Sequence, residues 1–303
     1  MELSKILTEQ VTILFILISI GFILKKTGKI NDTSAKQLSN ILLSIVIPCV
    51  LIDGFQKEFQ PELALKLLSA VFFTLLVHIA MIIICTLIFK KEPAGRYKVN
   101  IFSSIYSNCG FMALPLLSAV LGSDGIFYGS AYMIIFNLLY WTHGVAVYTG
   151  GIKELSIKKA FLNPGVIGVF VSLILFFLNI TLPKIIIEPV RYMASLNTPL
   201  AMVILGTYLA NINFKKTLKQ LSIYGVSFLR LVLFPIIGII IAKLMNLDET
   251  AATAIIISTA CPTAAVATLF AVKFDADAEY ASEIVSITTL FSIVTIPLVM
   301  LLM

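Results

Sequence analysis

Apolar residues fill this chain in long runs that recur about every thirty residues, and polar and charged residues gather in the joints between them. The runs cover residues 6–24, 38–55, 63–89, 99–121, 126–149, 164–180, 189–210, 218–244, 251–272 and 281–303. Most reach the roughly 20 residues that a helix needs to cross the hydrocarbon core of a bilayer. The pattern therefore predicts an all-α integral membrane protein of ten transmembrane helices. The first run is the weakest, because Glu9 and Gln10 interrupt it. It has neither a basic leader nor an A-x-A cleavage site, so it is read as a span and not as a secretory signal.

Composition agrees with that pattern. The chain is 59% hydrophobic and 13% charged, with a mean hydropathy of +1.02, whereas a soluble domain is about half apolar and a quarter charged. The net charge of +6 is explained by topology. Fifteen Lys and Arg residues fall in the loops after spans one, three, five, seven and nine, and six fall on the other side. Basic loops stay cytoplasmic, which predicts both termini outside and a multi-pass protein of the cell membrane. No soluble basic domain exists to bind nucleic acid. Cys49, Cys85, Cys109 and Cys261 lie scattered in apolar spans without metal spacing, so neither a zinc site nor a disulfide is expected.

Five spans lie on each side of the loop "GGIKELSIKKAFLNP". An odd number per half inserts the second half upside down relative to the first, which divides the chain into inverted repeats at 1–150 and 151–303. Punctuation recurs with them. Pro48 and Pro199 are 151 residues apart, as are the acidic turns at Asp124 and Asp275, and Pro115 and Pro262 are 147 apart. Pairing Asn108 with Thr263 gives an offset of 155 instead.

Within the fourth run, "SNCGFMALPL" places an asparagine, a glycine and a proline in eight residues that carry no charge. Glycine inside a helix costs about 1 kcal/mol against alanine, and a buried amide needs a partner. Interrupted helices at corresponding places in two inverted halves mark a transporter's midplane site. A break there exposes backbone N–H groups at a half-helix N-terminus, which suits a carboxylate without a fixed basic residue.

Four stretches, "SNILLSIVIPCVLI", "SNCGFMALPLLSAVLG", "STACPTAAVATLFAVKFDAD" and "YASEIVSITTLFSIVTIPLVMLL", give the chain a resemblance to the auxin efflux carrier family over its whole length. Bacterial members of that family include malate and malonate permease-like proteins. The resemblance implies that helices four and nine are broken and cross at midmembrane, with Asn108 to Pro115 and Pro262 to Thr263 matching the family's pattern. It also implies a homodimer. Plant members carry proline where Ser107 stands, which shifts the expected break onto Gly110.

These arguments give a candidate substrate site of Asn108, Cys109, Gly110, Pro262 and Thr263, with Asn137 either reaching it or tying two helices together. Ser107, Gly110, Pro115, Cys261 and Pro262 are expected to form the helix breaks and the crossover. Arg230, in the middle of the eighth run, is a candidate for attracting an anion or for binding a carbonyl. Tyr140 and Trp141 read as an aromatic belt, and Asp53 and Glu283 as groups reaching interfacial water.

The expected function is secondary active transport of a small organic anion, a carboxylate, by alternating access, with no cofactor and with H+ or Na+ as the coupling ion. The alternatives are an ion-coupled anion symporter of the bile-acid/sodium type and a membrane-embedded sensor or enzyme. No G-x-x-x-x-G-K-[ST] motif for ATP is present. No H-E-x-x-H or paired aspartates stand in the spans.

Overall fold

The computed structural model describes residues 2–151, 161–212 and 217–303. The basic loops carrying Lys153, Lys158 and Lys159, and Lys215 and Lys216, lie outside the described residues. Every named element among the described residues is helical. In order they are α1 (Glu2–Lys26), α2 (Asp32–Gly54), α3 (Pro61–Phe89), α4 (Ala94–Ile105), α5 (Cys109–Thr149) and α6 (Pro164–Phe177). Then follow α7 (Lys184–Ser195), α8 (Asn197–Leu209), α9 (Leu221–Leu244), α10 (Glu249–Ala260), α11 (Val266–Lys273) and α12 (Ala278–Met300).

Among the described residues, α2, α3, α5, α9 and α12 are long and apolar enough to cross a membrane. Their outer faces are greasy: Leu65, Leu68, Phe72, Ile79, Ile83 and Leu87 form an exposed stripe along α3. Polar side chains are buried instead, among them Ser103, Ser104, Ser107, Thr259, Thr263 and Thr288. This inside-out distribution is expected when the surrounding solvent is lipid.

Three of the ten predicted spans are divided. The fourth stops at Ile105, and Tyr106 leaves it in an extended conformation (φ −93°, ψ 107°). Its continuation is joined to the fifth as α5, which turns sharply at Gly122 (φ 60°, ψ −140°), a backbone conformation that favours glycine. The ninth stops at Ala260, with Cys261 extended (φ −63°, ψ 150°), and resumes as α11. The seventh begins earlier than predicted, at Lys184, and is divided at Leu196.

Proline does not cause the first of these breaks. Pro115 lies inside α5, directly beyond a wide π-turn at Cys109–Ala113, and the same device precedes Pro48 (Leu42–Val46) and Pro235 (Leu229–Leu233). A proline ring clashes with the carbonyl four residues back, and a locally widened turn relieves that clash. Pro115 is therefore accommodated in the helix.

Packing sorts the helices into two sets. One holds α1, α2, α6, α7 and α8, and the other holds α3, α4, α5 and α9 to α12. The sets meet along α1 with α12 and where α2 and α8 pack on α5. In the second set α10 is central, with every residue from Ala251 to Ala260 buried.

Candidate functional site at the crossing of two helix breaks

The breaks after α4 and α10 meet. Ser107 and Thr263 pair as an antiparallel bridge. Asn108 N–H donates to the Pro262 carbonyl (2.7 Å), and Ala264 N–H donates to the Tyr106 carbonyl (2.9 Å). Each break thus donates once and accepts once, so backbone groups that leave their helices are satisfied inside the protein, as an apolar surround requires.

Side chains fix the geometry. The Ser107 hydroxyl donates to Tyr132 Oη (2.9 Å). Thr263 is fully buried: its Oγ1 donates to the Ser103 carbonyl (2.8 Å) and its N–H to Thr288 Oγ1 (3.2 Å). Asn108 caps α5, its Oδ1 accepting from Phe111 N–H (3.2 Å), which is the role asparagine performs best at a helix N-terminus. Its Nδ2 is buried without a partner. Gly110 has no positive φ, and a Cβ there would meet only Ile47 Cδ1 at 3.4 Å. Neither backbone conformation nor crowding therefore demands glycine at this position.

A cavity of about 320 Å³ opens on one side of the crossing. At its inner end lie Ser107, Asn108, Cys109 and Gly110; Asn137, Phe136, Tyr140 and Trp141 of α5 line it, and Phe270 and Lys273 of α11 face them. Leu43 and Ile47 of α2, with Asn163 and Gly165 at the start of α6, complete it, so both helix sets contribute. Asn137 Nδ2 donates to its own helix at the Met133 carbonyl (2.8 Å). Trp141 Nε1, like Asn108 Nδ2, is buried without a partner. Lys273 is exposed and is the sole charged residue of the lining among the described residues.

The structure therefore gathers Ser107, Asn108, Cys109, Gly110 and Asn137 around one cavity. It places Cys261, Pro262 and Thr263 behind the crossing, outside the lining. Pro115 stands beyond the break. Arg230 is fully buried and also outside the lining, with its guanidinium bonded to main-chain carbonyls of Ser104 (3.1 Å), Ile105 (2.6 Å) and Thr259. Of the two expected roles, carbonyl binding is the one these contacts occupy.

The family model described as membrane transport protein matches residues 6–153 and 148–300, nearly the whole chain. The chain belongs to the auxin efflux carrier family. An uncharacterised transporter of Methanocaldococcus jannaschii is 26% identical over 305 residues, and one of Methanothermobacter thermautotrophicus is 22% identical over 303; each comparison covers 96% of both chains. This auxin efflux carrier family member is accordingly a multi-pass membrane transporter and not an enzyme.

In this transporter two expectations about polar and aromatic residues are corrected. Tyr140 and Trp141 are cavity walls, not a peripheral belt, and the signal was available, since they lie one helical turn beyond Asn137 on the same face. Glu283 does not reach interfacial water. It is buried, accepting from Thr217 Oγ1 (2.9 Å) and Gln220 Nε2 (2.6 Å). The Asp53 carboxylate pairs with Arg191 (3.0 Å).

Proposed function

We propose that this protein is a secondary active transporter of a small organic anion, a carboxylate held in the cavity beside the crossing. The observation that carries this reading is the chemistry of that lining among the described residues: two N–H donors without protein partners, aromatic walls, no acidic residue and one exposed lysine. A carboxylate accepts from such donors and gains from a charge-assisted bond. A single positive group with mostly apolar walls favours a monocarboxylate with an apolar body over a dicarboxylate, whose second charge would be desolvated without a partner.

Alternating access is supported by where the cavity lies, between the two helix sets, so that rocking one set against the other opens it to either side. We read the ten spans as two inverted five-helix repeats, 1–150 and 151–303. The reciprocal hydrogen bonds at the crossing support this reading, because they relate Tyr106 to Pro262 and Asn108 to Ala264 by a local two-fold. They support an offset next to the 155 of the Asn108–Thr263 pairing over one of 147. With basic loops inside, the cavity opens to the cytoplasm and both termini face outward at the cell membrane. The homodimer follows from the family resemblance.

Uptake into proteoliposomes, challenged with carboxylates, amines and neutral sugars, tests the proposal. Competition by monocarboxylates above dicarboxylates, weakened severalfold by Lys273→Gln, is the expected result. Transport of a cationic amine indifferent to every carboxylate would refute it.

A further inference from the structure

The buried guanidinium of Arg230 lies where α4 and α10 end. Each α-helix leaves its last carbonyls without intrahelical partners, and several of those at the crossing have identifiable donors. On α4, the Phe102 carbonyl accepts from Tyr106 N–H (3.0 Å) and the Ser103 carbonyl from Thr263 Oγ1 (2.8 Å). The next two, Ser104 and Ile105, accept from Arg230 Nη1. On α10, the Ile257 carbonyl accepts from Cys261 N–H (3.1 Å), and Thr259 accepts from Arg230 Nη2. One side chain of α9 thus joins the C-terminal ends of both half-helices.

The charges match as well. A helix C-terminus carries about half a negative charge, so two of them converging present about one, and the guanidinium supplies one positive charge. Among the described residues no carboxylate is within ion-pair distance of it. The dipoles of the two half-helices are its counter-charge. Converging half-helix C-termini and unwound carbonyls are also the donor set by which discontinuous-helix transporters hold a coupled cation. Arg230 lies in the π-turn at Leu229–Leu233 that accommodates Pro235.

We propose that Arg230 is a resident cation: its guanidinium permanently fills the position in which the two half-helix ends would otherwise bind a free monovalent cation, so the crossing needs no Na+. Arginine does not deprotonate in proteins, so this charge stays through the transport cycle and the group relays no proton. The proposal rests on the transporter reading for its consequence, an uptake independent of Na+, but not for the site itself. Removing the side chain leaves carbonyl oxygens of the kind that hard monovalent cations accept.

The test measures thermal stability of the purified protein in detergent, and uptake in proteoliposomes, in media based on Na+, K+ or N-methylglucamine. Wild type is expected to show the same Tm and, within about twofold, the same uptake in all three. Arg230→Ala is expected to be less stable in N-methylglucamine and to regain at least about 2 °C, saturably, with millimolar guanidinium or Na+. If Arg230→Ala does not fold, Arg230→Lys, which keeps the charge, is expected to fold with lowered Tm and no response to Na+. A saturable Na+ effect on wild-type Tm, a tenfold loss of wild-type uptake without Na+, or a folded Arg230→Ala indifferent to every cation would overturn the proposal. Failure of all carboxylates in uptake would sink the substrate reading and leave the stability result standing.

Discussion

Two of the close backbone approaches among the described residues are made by opposite means. Between α1 and α8 the contact is made by glycine: a Cβ on Gly206 would lie 2.0 Å from the Ile18 carbonyl oxygen, and one on Gly21 equally near that of Val203. At the crossing, extended residues with side chains trade hydrogen bonds, and polar groups from four helices close around them. The first contact rests on shape, as small residues allow in lipid. The second rests on partner-matching, where losing one member strands another. Shape suits a permanent seam, and a matched polar set suits a place that must also receive a ligand.

One substitution made at both places breaks or upholds that contrast, and it carries the largest expected effect. Gly206→Ala pushes a methyl into backbone that has no rotamer to yield, at a cost of about 1–3 kcal/mol, a large share of a marginal stability. Gly110→Ala meets only the end of Ile47 and gains helix propensity, so it is expected to fall within about 1 kcal/mol of neutral. Melting both variants in detergent decides the matter, and equal losses would show that the crossing is shape-limited too.

A second pair separates roles inside the crossing. Asn108→Ala is expected to weaken carboxylate affinity about tenfold to a hundredfold, the worth of a hydrogen bond to a charged group, about 1.5–3 kcal/mol. Thr263→Val removes the bond to Ser103 behind the cavity and is expected to lower Tm while leaving affinity nearly intact. Isothermal titration of both variants checks this. Normal affinity in Asn108→Ala would remove the cavity as the binding site.

The sequence announced the crossing because asparagine, glycine and proline are conspicuous where all else is apolar. It did not place the break, since Pro115 resembles a helix breaker until the π-turn before it is seen. Composition alone did not separate cavity walls from an aromatic belt, since Tyr140 and Trp141 suit either; only their spacing from Asn137 marked them as walls. Arg230 was the hardest to read: its partners are carbonyls of Ser104, Ile105 and Thr259, and a main-chain acceptor leaves no mark in the sequence. The seam between α1 and α8 was invisible for the same reason, as Gly21 and Gly206 each sit in an ordinary apolar run.

The smallest effect comes from the far end of α10 and serves as a control on the crossing. Asp248 caps that helix, accepting from Ala251 N–H (3.2 Å), and pairs with Lys66 (3.0 Å). Burial pushes its carboxyl up, but the Lys66 ammonium and the backbone N–H groups of the cap outweigh this and hold it below the usual carboxylate range. A carboxylate lowered in the folded state adds stability above its unfolded pKa, and that stability is lost as pH falls through the folded value. Asp248→Asn keeps the cap, since asparagine caps as well as aspartate, and removes only the charge, worth about 0.3–1 kcal/mol at a half-exposed helix end. Melting curves of wild type and variant should therefore differ slightly near neutral pH and converge below about pH 4. The other end of α10 meets Arg230 through a main-chain carbonyl and, among the described residues, no carboxylate, so the convergence should look the same in an Arg230→Lys background. A wild-type acid transition unmoved by Asp248→Asn would mean that the cap charge contributes nothing, and that the two ends of α10 differ in geometry alone.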